Sequence, residues 1–160
     1  MRITIIIITV LLLFSYGVNG QTRTIQGRII SESLVPKPWV NIEGPNRMLF
    51  GETDSNGRFK IEIPQDSSTL IIIGLNLEIT TIRLNGDCDT VEVVIMINGN
   101  YDYISSSQID RERLKRFKKL PKLHLEAYNK GLFMKKSICY SRGKFEPMKP
   151  VLDKIHSERE

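Results

Sequence analysis

The sequence predicts an all-β sandwich carrying a basic α-helical C-terminal extension, and three observations predict it. From Thr24 to about Ile97, short alternating apolar runs are parted by turn residues, at the spacing of roughly 8–12 residues found in sandwiches and small barrels. No apolar stripe of helical period and useful length occurs before residue 105. Beyond that point the charge changes sign: residues 21–104 carry a net −4 and residues 105–160 a net +8, with Arg2 completing the overall +5. A chain of 160 residues, 41% of them hydrophobic, suits one modest globular domain with appendages. It is too short for a barrel enzyme or a complete doubly wound domain. Two cysteines exclude a disulfide-dense scaffold, and two histidines narrow the metal and acid–base chemistry open to it.

Residues 1–20 read as a secretory signal. Arg2 precedes a twelve-residue apolar run, residues 3–14, broken only by Thr4 and Thr9. Val18 stands at the third position before a break after Gly20, so positive start, apolar core and cleavage site are all present. The alternative is an uncleaved anchor, but twelve residues span only about 18 Å as a helix, against roughly 30 Å of hydrocarbon. No cysteine lies near the break to carry a lipid. The mature chain is expected to start at Gln21 and to work outside the cytoplasm.

The strands follow in order. Ile25, Gly27 and Ile29 share one face of the first run, with Gln26 and Arg28 on the other. Val40 and Ile42 lie on one side of the second, between Trp39 and Glu43. Phe59, Ile61 and Ile63 alternate with Arg58, Lys60 and Glu62, the mark of a half-buried strand. Residues 70–75 are nearly all apolar, which predicts a strand covered on both faces. Ile82 and Leu84 face inward from the next run, and Val91, Val93, Ile95 and Ile97 line the last against Glu92, Val94 and Met96. The stretch of residues 53–59 predicts a hairpin: Thr53 leads in, Asp54 bonds the following backbone, Gly57 accepts a positive φ and Phe59 restarts the strand.

In this order, Ile25-Gln26-Gly27-Arg28-Ile29, Pro38-Trp39-Val40-Asn41-Ile42, Gly51-Glu52-Thr53-Asp54-Ser55-Asn56-Gly57-Arg58-Phe59-Lys60-Ile61 and Ile63-Pro64 resemble the carboxypeptidase-regulatory-like domain. The resemblance covers about half the chain. It implies a Greek-key sandwich of about seven strands, prealbumin-like or immunoglobulin-like, for residues 21–104. Such domains stand beside metallocarboxypeptidase domains, at the front of outer-membrane receptors, and in small exported proteins of Gram-negative bacteria. The resemblance therefore implies the periplasm or cell envelope. The chain departs from the family pattern at residues 34–37, which replace a Gly-rich approach, and at Leu75, where an aromatic is usual.

Residues 105–160 form the basic extension. Ser107 is placed as N-cap, with a helix running to Pro121 and carrying Leu114, Phe117 and Leu120 on one stripe. Pro121 stops or kinks it and opens a second helix to Lys130, with Gly131 as C-cap. Pro150 opens a short last helix carrying Val151, Leu152 and Ile155. Two readings of the basic residues stay open. Either the helices dock on the sandwich and turn a solvated charged face outward, or Arg111, Arg113, Lys115, Arg116, Lys118, Lys119 and Lys122 meet an anionic membrane surface or acidic protein. Nucleic acid is not expected, because no groove-reading motif is present.

The chemistry of catalysis is thin. Three residues after His124 stands Ala127, and three after His156 stands Arg159, so the His-x-x-Glu ligands of a metallocarboxypeptidase are missing. No Gly-x-Ser-x-Gly elbow occurs. Asp54, Asn56, Asp87 and Asp89 lack the remaining ligands of a calcium loop, and His124, Cys139 and His156 match no zinc spacing. No cofactor, metal or catalytic residue is expected. Cys88 and Cys139 either form one bridge, clipping the extension to the sandwich, or stay as two thiols. The expected function is a non-enzymatic accessory or interaction module of the bacterial envelope, with residues 44–47, 54–57 and 85–89 as contact loops. A peripheral membrane protein held by the basic extension is the alternative, and an enzyme with an unrecognised site the third.

Overall fold

The computed structural model describes residues 21–101 and 104–148. The expected secretory signal of residues 1–20 and the last helix expected at Pro150 lie outside these residues. Eight strands and one helix follow in the order β1 (Thr22–Ser31), β2 (Asn41–Glu43), β3 (Leu49–Glu52), β4 (Arg58–Pro64), β5 (Thr69–Ile73), β6 (Thr80–Leu84), β7 (Thr90–Ile95), α1 (Ser106–Asn129) and β8 (Tyr140–Arg142). They form a three-stranded sheet, β4-β1-β7, and a five-stranded sheet, β3-β2-β5-β6-β8. The β1–β7 pairing is parallel; every other strand pair is antiparallel.

The two sheets share one core. Ile25, Ile29, Ile61, Ile63, Val91, Val93 and Ile95 from the smaller sheet meet Ile42, Leu70, Ile72, Ile82, Leu84 and Tyr140 from the larger. Apart from Leu70, Ile72 and Tyr140, these are the inward residues that alternation picks out. Gly27 occupies its place for a steric reason: a Cβ there would run into the Val91 carbonyl, and the Phe59 ring on the neighbouring strand closes over it.

A second cluster lies on the other face of the small sheet, where Ile30, Val94 and Met96 meet Leu120, Ala127 and Phe133. As a result all six residues of β7 are buried. This corrects the expectation for residues 70–75. In β5 only Leu70 and Ile72 are buried, and Leu75 beyond it is 98% exposed. The doubly covered strand is β7, because α1 packs on the small sheet and leaves the outer face of the large one to solvent.

The helix also differs from expectation. Ser105, not Ser107, is the N-cap: its hydroxyl accepts from the Gln108 N–H while the Gln108 side chain accepts from the Ser105 N–H. A single helix runs through Pro121 to Asn129, in place of two helices meeting there. Its end follows the expected chemistry. Gly131 takes φ +70°, with Gly131 N–H bonded to the Tyr128 carbonyl and Leu132 N–H to the Ala127 carbonyl, a Schellman motif.

The extension is not wholly helical. β8 adds to β6 at the edge of the large sheet while its side chains reach the open edge of β7 in the small one. The carbonyls of Thr90, Glu92 and Val94 point out of that edge. The Cys139 sulfur sits 3.1 Å from the first, the Tyr140 hydroxyl donates to the second at 3.1 Å, and Arg142 donates to the third at 2.6 Å. The Glu78 N–H takes the next such carbonyl, that of Met96. Three acceptors that would otherwise invite another strand, on Glu92, Val94 and Met96, are thereby filled, and the disulfide sulfur packs over that of Thr90.

Candidate functional site

The turn at residues 54–57 has the expected chemistry in an unexpected setting. Asp54 Oδ1 accepts from the N–H groups of Asn56 and Arg58 at 2.8 Å each, and Gly57 takes φ +69°. Yet β3 and β4 belong to different sheets, so the turn is an arch from one layer to the other and not a hairpin. Thr53 is fully buried at its base. Its hydroxyl donates to the Lys37 carbonyl at 2.7 Å and accepts from the Val40 N–H at 3.0 Å, while its carbonyl accepts from the Trp39 N–H at 3.1 Å.

These bonds fix Trp39, the only tryptophan of the chain, at φ +56°, a left-handed conformation that bulky residues rarely adopt. Its side chain is displayed to solvent at 68% exposure. The β2–β5 ladder ends at Asn41 and Ile73, so the exposed Leu75 lies at the same end of the fold as Trp39. Strain that the surroundings over-determine, on an exposed aromatic, is the kind of feature that marks a contact site. Of the three expected contact loops only residues 54–57 lie at this end. Residues 44–47 and 85–89 lie at the other. Sequence reasoning missed Trp39 as a surface residue; the signal present was a lone tryptophan directly after a Pro-Lys-Pro segment.

The seven basic candidates on α1 divide. Arg113 and Arg116 face the sheets. Arg113 makes a two-point bond to Glu78 (3.0 and 2.8 Å), a bond to the Glu146 carbonyl and an ion pair with Asp110, and it lies over the Phe145 ring. Its hydrogen bond to Glu78 raises its pKa above the ordinary guanidinium value, outweighing burial. Arg116 grips Glu32 with Nε at 2.9 Å and with Nη2, and also bonds Tyr101 and the Ile97 carbonyl. Burial alone would raise the Glu32 carboxyl; the Arg116 hydrogen bond, the Ile97 N–H and the Arg116 charge together hold it below the ordinary carboxylate value. Both arginines thus dock the helix. Lys115 pairs with Glu112 at the surface. Arg111, Lys118, Lys119 and Lys122 are exposed, and none is in an ion pair among the described residues.

Cys88, in the turn before β7, and Cys139, just before β8, are joined in a disulfide with their Cα atoms 5.6 Å apart. His124 lies inward on α1, 3% exposed, with Nε2 on the Lys135 carbonyl at 3.1 Å and its ring 4.9 Å from that of Phe133. Burial lowers its pKa, so it is held neutral. Comparison with protein-family models, with curated proteins and with solved structures finds no match to this chain.

Proposed function

We propose that the protein is an exported, non-enzymatic carboxypeptidase-regulatory-like module, a prealbumin-like Greek-key sandwich that serves as an interaction element of the bacterial envelope. The observation that carries the contact site is Trp39, held in a left-handed backbone by buried Thr53 and shown to solvent at the end of the fold that also exposes Leu75. Export is supported by the Cys88–Cys139 bridge, which persists in oxidising compartments. The test compares capture from envelope extracts by the full chain and by W39A/L75S. The reading requires loss of the captured partner at unchanged melting temperature; undiminished capture sinks it.

A second reading has its own observation. Arg111, Lys118 and Lys122 recur at nearly helical spacing on the exposed side of α1, a face suited to anionic lipid. Deleting residues 105–160 is a poor test, because it removes β8 and uncovers β7. Charge reversal is better: K118E/K122E should cut sedimentation with phosphatidylglycerol vesicles at low salt and leave phosphatidylcholine unaffected. No binding to either vesicle by the parent chain removes this reading.

A further inference from the structure

A cleft of about 450 Å³ opens between α1 and residues 138–144, floored by Val94 on the outer face of β7. Its volume falls in the range of roughly 300–1,000 Å³ common to small-molecule sites. Phe117, Leu120, Pro121, Ile138 and Tyr140 make its walls apolar. Three nitrogen-bearing side chains also line it, and no carboxylate does so among the described residues.

Two of those three side chains give the cleft a positive sign. Arg142 donates to the Val94 carbonyl at 2.6 Å and interacts with Tyr140, but no ion pair to it occurs among the described residues. Burial lowers its pKa, the mark of a guanidinium without a compensating anion. This contrasts with Arg113 and Arg116, each bonded at two points to a glutamate. Lys144, exposed and in no ion pair among the described residues, adds a second cation at the rim. His124 supplies an independent indication. Its Nε2 must carry the proton to bond the Lys135 carbonyl, which leaves the Nδ1 lone pair buried and without a partner. Of the buried side-chain atoms without a partner among the described residues, His124 Nδ1 is the one that belongs to a residue lining this cleft.

We propose that this cleft binds a single-chain fatty acid or a close relative, an acyl tail along Phe117 and Leu120 with its carboxylate on Arg142 and Lys144. The chemistry follows from the walls: an apolar tail displaces water from Val94, Leu120 and Ile138, and a monoanion supplies the charge that Arg142 lacks. Nδ1 of His124 is then free to accept from a chain hydroxyl or a retained water.

The test titrates the full chain with decanoate and with decanol, both below their aggregation concentrations, by calorimetry and by amide chemical shifts. The expected result is one saturable decanoate site, at least tenfold tighter than decanol, with shifts centred on Val94 and Gly143. R142Q should abolish the tenfold preference and leave decanol binding within about twofold. Should R142Q fail to fold, K144Q at the rim is expected to lower decanoate affinity about threefold, with the loss reproduced by added salt. Equal affinity for acid and alcohol, shifts centred elsewhere, or no binding of either overturns the proposal. These outcomes are independent of Trp39, so failure here leaves the contact site standing.

Discussion

Glu92 shows how a charged residue comes to stand in a wholly buried strand. Its carboxylate, 4% exposed, accepts from Met134 N–H at 2.8 and 3.0 Å and from Lys135 N–H at 2.8 Å. It therefore caps the segment that follows α1. E92L preserves bulk but strands two N–H groups, so it should destabilise by about 3 kcal/mol in urea unfolding. G27A should cost at least about 2 kcal/mol, since the obstacle is the Val91 backbone and not a movable side chain. Two residues packed against the fold contribute to the acid limb of stability. His124 has a folded pKa below its ordinary 6.5, so its contribution is full above 6.5 and declines as pH falls through the lowered value. Glu32, held below its ordinary 4.5, does the same in a lower window. Thermal scans should show stability dropping first below pH 6.5 and again below pH 4.5. H124Q is expected to remove the first step and E32Q the second.

At the scale of elements, α1 was legible in its C-terminal end and stripe but not in its N-cap or its continuity. Pro121 stands deep inside a 24-residue helix, where its ring removes the bond to the Phe117 carbonyl. Local rules end a helix there; packing of Leu120, Ala127 and the two arginine pairs overrides them. P121A should accordingly raise stability by about 1–2 kcal/mol, measured by thermal or denaturant unfolding. β8 was not legible at all: three residues in a basic segment carry no alternation, and their strand state comes from β6 and from the carbonyls of β7. The arch at residues 54–57 was read in its turn chemistry and misread in its topology, because Asp54 and Gly57 specify a reversal without saying which sheet each arm joins. The disulfide closes a separation of 51 residues, worth about 4 kcal/mol in the chain-entropy model. C88S/C139S should lose stability of that order, with β8 amides losing exchange protection before those of β1.

For the whole molecule, the inward faces of β1, β4, β6 and β7 followed from alternation because each buries one side against a common core. What alternation does not convey is which second face gets covered. That depended on a long-range choice, α1 settling on Val94 and Met96 instead of on Ile71 and Ile73. The basic extension was likewise half legible. Its composition announced cations, but only the fold separates Arg113 and Arg116, spent on Glu78 and Glu32, from the exposed residues around them. If residues 1–20 are a cleaved signal, intact mass of the exported chain should begin at Gln21; retention of Met1 would overturn that expectation.

The open edge of β7, filled by Tyr140 and Arg142, also sets an order of events. β1 is the first strand made and cannot complete its sheet until β7 has emerged, some sixty residues later. The rim of that sheet then stays uncovered until the chain has been delivered as far as residue 142. Closure of that sheet is therefore deferred until some fifty residues after β7. A chain built this way keeps its small sheet open on one side until β8 has been made, and only then closes.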